Sequence, residues 1–256
     1  MQPRYLYPAV TVLGLIRDGI LKRRRSFAGD ARACIAALQP PLRMLGAECI
    51  PPEGSYAITP NHYSRPGYAS QWTALALIAS VPREVHWVMT AELTFPGRWY
   101  AAIAAQASRV ILGRLAQVYG FSTMPPMPPR SGDVAARAAA VMAILRHVAR
   151  TPEVVIGLAP EGGDQPGGQL SMPPSGLGRF CVLLARAGLR FVPVGVYECE
   201  GRLTMRFGAP YELPLPSRMN THLADRLAAA YIMQQIAELL PRSLRGEFCR
   251  KQSNEL

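Results

Sequence analysis

Two short segments able to carry acid–base chemistry each follow a run of apolar residues. Asn61-His62-Tyr63-Ser64 comes directly after residues 56–59, and Pro160-Glu161-Gly162-Gly163 comes directly after residues 154–158. If both runs are strands of one parallel sheet, their carboxyl ends lie at the same edge, where α/β folds bind their ligands. The spacing therefore predicts that an imidazole and a carboxylate meet there, as a reaction that moves a proton requires.

The elements that would position this pair alternate along the chain. Apolar residues at helical spacing predict helices over residues 70–80, 97–117, 134–148, 180–187 and 220–240, and short apolar runs predict strands at 85–89, 117–121, 190–196 and 203–207. Asp30, Asp133 and Asn220 are predicted to cap helices, the first helix carrying Ile35, Leu38, Leu42 and Leu45 with an interruption at Pro40-Pro41. The order predicts an α/β fold with a mainly parallel central sheet flanked by helices on both faces.

Length and composition favour one main domain. The chain has 256 residues, 49% of them apolar, which is enough to bury a substantial core. We assign residues 29–256 to this domain and residues 1–28 to an N-terminal amphipathic, basic helical segment. Residues 162–178 are rich in Gly, Pro and Ser, and a loop of that length in such a domain is predicted to be ordered or to act as a lid.

The net charge indicates an anionic partner. The chain carries 28 Lys and Arg against 17 Asp and Glu, a net charge of +11. Nucleic acid, acidic lipid and a phosphorylated substrate all fit such a balance. No nucleic acid is expected, because the arginines are dispersed, aromatic residues do not alternate with them, and no recognition motif is present.

The cysteines and the other histidines indicate no metal site. Five cysteines, at positions 34, 49, 181, 199 and 249, lack the C-x-x-C spacing of zinc ligands, so we interpret them as reduced thiols of a cytosolic protein. Cys181 and Cys199 are predicted to lie in the core. His86, His147 and His222 are predicted to be structural, and Trp99 and Tyr100 to belong to the core.

The N-terminal segment has two interpretations. Residues 9–21 form a predicted helix with one apolar side, comprising Val10, Leu13, Ile16, Ile20 and Leu21, and basic residues follow it. Either this helix docks on acidic head groups, or it packs on the domain with its basic end in solvent. The charge-free residues 5–16 fall short of the ~20 needed to span a bilayer. We therefore expect a cytoplasmic protein, peripheral on the inner face of the cell membrane.

Taken together, the motifs resemble those of the glycerolipid acyltransferase family, which includes 1-acylglycerol-3-phosphate acyltransferases. The matching stretches, in family order, are Asn61-His62-x-Ser64, Pro160-Glu161-Gly162 and Phe191-Val192-Pro193-Val194, with further matches at Gly168-Gln169-Leu170, Pro174, Gly176 and Ala187-Gly188. The resemblance covers about residues 50–215. It implies transfer of an acyl chain from acyl-CoA or acyl carrier protein to a hydroxyl of a lysophospholipid or related lipid alcohol.

The resemblance also implies roles for individual residues. His62 would be the general base, and Glu161 would act beside it, holding the polar end of the acceptor together with the backbone around Gly162. The predicted substrate-binding set is Asn61, Ser64, Arg65, Pro160, Gly162, Gly163 and Arg130. No metal or cofactor is expected besides the acyl thioester that serves as co-substrate.

Three positions depart from the family pattern. The family has an acidic residue five positions after the histidine, where this chain has Gly67, so Glu92, Glu161 or Asp164 would have to replace it. In its second motif the family has an arginine close after a glycine, where it binds the acceptor phosphate, but residues 120–124 of this chain contain no arginine. Asp164 stands at another position where the family often has an arginine. Arg65 or Arg130 would then bind an acceptor phosphate, or the acceptor carries none. A catalytically inactive, lipid-binding relative of the same fold is the alternative function, and a basic nucleic-acid-binding protein, indicated by charge alone, is the weaker one.

Overall fold

The computed structural model describes residues 2–95, 97–127, 130–214 and 220–249. Within these residues the strands are β1 (Arg43–Leu45), β2 (Tyr56–Pro60), β3 (Val85–Thr90), β4 (Ser122–Met124), β5 (Val155–Gly157), β6 (Arg190–Cys199) and β7 (Arg202–Phe207). The α-helices are α1 (Ala9–Ile20), α2 (Phe27–Ala36), α3 (Gln71–Ser80), α4 (Ala101–Tyr119), α5 (Val134–Arg150), α6 (Leu177–Arg186) and α7 (Thr221–Ala237). Among the described residues, no helix is both long and apolar enough to cross a membrane.

The strands form one sheet in the order β1-β7-β6-β2-β5-β3-β4. Neighbouring strands run parallel except β6 and β7, which are consecutive in the chain and pair antiparallel. β2 and β5 are direct neighbours, with Tyr56 opposite Val155. The predicted α/β fold with a mainly parallel sheet is therefore confirmed, and the two strands that precede His62 and Glu161 lie side by side.

The connections of β2 and β5 open a crevice between these strands. From β2 the chain passes through α3 to β3, two positions along the sheet, whereas from β5 it passes through α6 to β6, two positions in the opposite direction. Because such crossovers are right-handed, α3 and α6 lie on opposite faces of the sheet. The segments leaving β2 and β5 thus diverge, and this is where open α/β sheets bind ligands.

The core consists of the central strands and the helices that cover them. Ile58 in β2, Ile156 in β5 and Val194 in β6 are completely buried, and burying a side chain of this size contributes about 1.5–3 kcal/mol. Gly157 allows the closest packing in β5, because a Cβ atom there would lie 2.1 Å from the Trp87 ring. The rigid centre of the sheet therefore supports the two loops that carry His62 and Glu161.

The prediction for the first domain helix was wrong in its cap and its length. Ser26 caps α2, accepting a hydrogen bond from the Gly29 amide, while Asp30 lies inside the helix and binds Arg25 and Tyr119. The helix ends at Ala36, and the predicted helical positions Leu42 and Leu45 lie beyond it, Leu45 within β1. Pairing of β1 with β7 has overridden the local helical spacing.

The predictions around α4 also need correction. The helix starts four residues later than predicted and extends to Tyr119, so the predicted strand at 117–121 is wrong. Gly120 ends the helix in a left-handed conformation with φ +77°, and β4 begins only at Ser122. Trp99 and Tyr100 do not belong to the core, since 92% and 37% of their surfaces are exposed.

The remaining helix caps and cysteines follow the sequence more closely. Asn220 caps α7 as predicted, accepting from the His222 amide, whereas Asp133 precedes α5 without making a side-chain cap bond to it. Cys181 is buried as predicted, and burial raises the pKa of its thiol to about 12. Cys199 is only half-buried at the margin of the core. All five cysteines are free thiols.

Candidate active site

His62 begins the loop after β2, and Asn61 fixes where this loop starts. The Asn61 side chain donates from Nδ2 to the Val196 carbonyl at 2.9 Å and accepts from the Val196 amide at 2.6 Å. Asn61 is buried, so its amide group continues the pairing of β2 with β6 beyond the end of the strand. The prediction that Asn61 contacts substrate therefore gives way to a structural role beneath His62.

Glu161 lies next to His62 in space but contacts its backbone. One carboxylate oxygen accepts from the His62 amide at 2.7 Å and the other from the Ser171 amide at 3.2 Å. Only 5% of Glu161 is exposed. Burial raises the pKa of this carboxyl, and the two amides that donate to it oppose the rise. Each oxygen accepts from a backbone amide, so Glu161 fixes the position of the His62 backbone, and its role toward the acceptor stays a prediction.

Asp164 supplies the carboxylate beside the imidazole ring. Its Oδ1 lies 2.9 Å from Nδ1 of His62, and this contact with the imidazole lowers the pKa of Asp164. Nδ1 of His62 is completely buried, but its geometry relative to Asp164 is not that of a well-formed hydrogen bond. Side chains of catalytic pairs are often imperfectly aligned in unliganded structures and straighten once substrate binds.

Of the three carboxylates proposed to replace the missing aspartate, Asp164 is the one at the ring. Glu161 contacts the backbone, and Glu92 forms ion pairs elsewhere. Gly67 occupies the family's acidic position with φ +80°, a left-handed conformation in which an aspartate side chain would be strained. The backbone at position 67 therefore suits glycine, and the carboxylate comes from the neighbouring loop.

The two loops pack closely against each other. Ser64 donates from Oγ to the Gln165 carbonyl at 3.0 Å, so it bonds to the second loop and not outward to a ligand as predicted. Gly168 has φ +66°, and a Cβ atom there would lie 2.3 Å from the Ser64 carbonyl oxygen. This contact holds the predicted ordered loop, which continues to the start of α6 at Leu177, against the loop of His62.

Pro160, Gly162 and Gly163 form the turn that carries the two carboxylates. Pro160 is buried, and Gly162 has φ +70° with its amide bonded to the Ala159 carbonyl at 3.2 Å. Gly163 precedes Asp164 directly. The predicted substrate-binding role of these three residues stays a prediction. In the structure the turn positions Glu161 at the His62 backbone amide and Asp164 beside the His62 ring.

Arg65 is engaged in an ion pair. Its guanidinium binds both carboxylate oxygens of Glu198, at 2.8 and 2.6 Å, and also the Pro66 carbonyl. Tyr5 donates to the same carboxylate, so the N-terminal segment is connected to the loop of His62. The predicted phosphate contact of Arg65 is not favoured, because the bidentate pair with Glu198 already uses the N–H donors of the Arg65 guanidinium.

Arg130 belongs to a second cluster, after β3 and β4. Glu92 follows β3, is only 2% exposed, and binds the guanidinium groups of Arg109 and Arg130. These two arginines, foremost Arg109, lower the pKa of Glu92. Sequence reasoning missed Arg109, although Glu92 comes soon after the predicted strand at 85–89 and thus lies at the same sheet edge as His62. Both arginine side chains remain more than half exposed.

Of the comparisons with known proteins, the one with solved structures found a similar fold. No family model matches the sequence, and no curated protein matches it. Among solved structures, the chain is similar to the 1-acyl-sn-glycerophosphate (LPA) acyltransferase PlsC from Thermotoga maritima, with a TM-score of 0.48 and 12% sequence identity. The similarity covers 90% of this chain and 80% of that one. At this level it assigns no activity, which has to be inferred from the site.

Proposed function

We propose that this protein transfers an acyl chain from acyl-CoA or acyl carrier protein to a hydroxyl of a lysophospholipid or related lipid alcohol. The observation that carries the proposal is the 2.9 Å separation between His62 Nδ1 and Asp164 Oδ1 at the crevice between β2 and β5. The order of the sequence motifs supplies the class of reaction. The pair supplies a base that this reaction needs.

The mechanism follows from which ring nitrogen faces the carboxylate. Asp164 favours the tautomer with a proton on buried Nδ1, so Nε2 keeps its lone pair for the substrate. As the acceptor oxygen bonds to the thioester carbon, its proton passes to Nε2. The carbon–sulfur bond then breaks, and the imidazolium, stabilised by Asp164, returns the proton to the leaving thiolate. General-base catalysis of this kind contributes about 10²–10⁴ in rate.

The alternative is an inactive, lipid-binding relative. Loss of the acidic residue at position 67 favours that alternative, since an unsupported imidazole is a poorly oriented base. The presence of Asp164 at Nδ1 favours an enzyme, because the second loop restores the missing carboxylate. Glu161 adds support by fixing the His62 backbone from below.

The acceptor is proposed to carry a phosphate. The buried Glu92 carboxylate holds Arg109 and Arg130 with their side chains more than half exposed, leaving an excess of one positive charge. This cluster follows β3, which is separated from β2 only by β5 along the same sheet edge. Neighbouring strands are about 4.8 Å apart, so the cluster lies roughly 10 Å from the histidine along the edge. A glycerophosphate head group spans a distance of this order.

A direct assay tests the proposal. Purified protein is incubated with radiolabelled acyl-CoA, or with acyl carrier protein, and a panel of lysolipids, and the esterified product is measured. We expect product with the parent protein and with the control His222→Ala, which alters an exposed histidine, and none with His62→Ala. Equal product from parent and His62→Ala would overturn the proposed chemistry. Lipid binding without any product would establish the inactive relative.

A further inference from the structure

Helix α1 turns its apolar side toward solvent. Val10 is 82% exposed, and Leu13, Ile16 and Ile20 are exposed along the same side. Asp18 faces inward instead, where it is buried and binds Arg25. The helix thus packs on the domain through the side that carries Asp18, and its exposed apolar side forms a hydrophobic stripe without a partner in the described part of the chain.

Helix α4 also has an exposed apolar face, which nothing in the described residues covers. Ile103 and Val110 are largely exposed, and their spacing of seven residues places them on one side of the helix. Trp99, which precedes the helix by two residues, is 92% exposed. Ser108 on the opposite side is buried. Part of the exposed face forms a shallow apolar groove of about 520 Å³, lined by Ala102, Ile103, Gln106, Ala107 and Val110.

The two helices adjoin each other. α1 packs against α4, and the segment after α1 bonds to the end of α4, where the Arg25 amide donates to the Val118 carbonyl at 3.0 Å. Since α4 follows the carboxyl end of β3, its Trp99 end lies on the side of the molecule that carries the site. We call the set Val10, Leu13, Ile20, Trp99, Ile103 and Val110 the α1–α4 surface.

The charges around this surface identify its occupant. Residues 93–124 contain no aspartate or glutamate, and residues 2–29 contain only the buried Asp18. Exposed basic residues accompany both helices: Arg17, Lys22, Arg23 and Arg24 near the end of α1, and Arg98 and Arg114 along α4. Two copies of so basic a face would repel each other. A bilayer that contains acidic lipid offers both a hydrophobic interior and an attractive charge.

We propose that the α1–α4 surface docks the protein on a bilayer rich in acidic lipid, with Trp99 at the level of the head groups. Tryptophan suits that position because its ring is apolar and its N–H can bond to water or phosphate. Docking places the sheet edge with His62 and the Arg109–Arg130 pair beside the bilayer. The proposal rests on exposure and charge, and it stands whether or not the proposed acyl transfer is correct.

Tryptophan fluorescence tests this contact directly. The sequence has three tryptophans, of which Trp72 is buried and Trp87 half-buried. In a Trp87→Phe background, vesicles of brominated phosphatidylcholine mixed with phosphatidylglycerol should quench Trp99 and shift its emission to the blue. Adding Trp99→Phe should abolish that quenching. Unquenched Trp99 on vesicles that still sediment the protein would overturn the proposed surface.

Sedimentation with the same vesicles measures the contribution of each helix. Because each exposed apolar side chain that enters the bilayer leaves water, Val10→Gln and Ile103→Gln should each weaken binding at least about tenfold. Leu223→Gln, at an exposed position of α7, should leave binding unchanged. Binding should also fall in pure phosphatidylcholine and at high salt. Equal binding by Ile103→Gln and parent protein would exclude α4 from the contact.

Two further measurements separate docking from chemistry and from self-association. His62→Ala should bind vesicles like the parent, and Ile103→Gln should retain turnover on acceptors dispersed in detergent. A parent protein that shows His62-dependent turnover but does not bind the vesicles would refute the docking surface and leave the proposed acyl transfer intact. In sedimentation velocity without lipid, we expect a monomer; a dimer that Ile103→Gln dissociates would assign this surface to a second copy of the chain.

Discussion

Asp164 Oδ1 lies 2.9 Å from His62 Nδ1, although the two residues belong to loops after different strands. In the family that the motifs resemble, an acidic residue follows the histidine by five positions and an arginine often stands at the position of Asp164. This chain has glycine at the first position and aspartate at the second. The two departures compensate each other, because they move a carboxylate from one loop to its neighbour while keeping one beside the imidazole.

Asp164→Asn tests this compensation. The change removes the charge that orients the ring and stabilises its imidazolium, so we expect kcat to fall by about 10²–10⁴ with little change in KM. The measurement is steady-state acyl transfer across a range of acceptor concentrations. Glu200→Gln, which neutralises an exposed carboxylate elsewhere, is the control and should retain parental kinetics. Unchanged turnover in Asp164→Asn would exclude Asp164 as a positioning residue.

Gly168→Ala tests the contact between the two loops. Its Cβ atom would lie 2.3 Å from the Ser64 carbonyl oxygen, so the loops must separate and Asp164 must move away from His62. We expect a loss of about 1–3 kcal/mol in the free energy of unfolding and a lower kcat. Gly167→Ala is a matched control, since Gly167 has nearly the same φ and nothing near its Cβ position. Equal effects of the two variants on kcat would argue against the contact.

Arg109→Gln and Arg130→Gln test the phosphate site. Each variant removes one half-exposed guanidinium while the other still pairs with buried Glu92. KM for a phosphate-bearing lysolipid should rise about tenfold, corresponding to the loss of ~1.4 kcal/mol, because a charge-assisted hydrogen bond is lost. KM for a monoacylglycerol should hardly change. Arg186→Gln, on the exposed side of α6, is the control. An equal rise in KM for both acceptors would show that the cluster does not recognise the phosphate.

The stacked rings of His86 and His147 predict acid sensitivity of the fold. Their centroids are 4.0 Å apart. Burial, and to a smaller extent the charge of His147, lowers the pKa of His86 from 6.5 to about 4, and burial also lowers the pKa of His147. The folded protein thus binds fewer protons than the unfolded chain in this range. The stability from this pair is complete above pH 6.5 and is lost as the pH falls toward 4.

Thermal unfolding between neutral pH and pH 4 measures this effect. We expect the parent to lose up to about 2 kcal/mol more than His86→Gln over this range, less than the full pKa shift implies because His86 is partly exposed. Comparing the two proteins removes the contribution of other titrating groups. Parallel stability curves would show that the stacked pair does not sense pH.

Part of this arrangement was accessible from the sequence. Short apolar runs followed by His62 and Glu161 predicted two parallel strands ending at one edge, and the structure makes them neighbours. Hydrophobic periodicity is a local property of the chain, and burial of a parallel sheet requires it, so the fold class followed from it. Helix ends were less predictable, because pairing of β1 with β7 and the left-handed turn at Gly120 override local preference.

The sequence by itself determined the α/β fold and the place of the imidazole at the sheet edge, since periodicity and strand order fix both. Only the tertiary structure decided which carboxylate reaches His62, because Glu92, Glu161 and Asp164 differ in how their loops pack and hardly in local sequence. It also decided that Arg65 pairs with Glu198 and that the apolar side of α1 faces outward. Contacts between residues distant in the chain depend on the whole fold, and no local pattern encodes them.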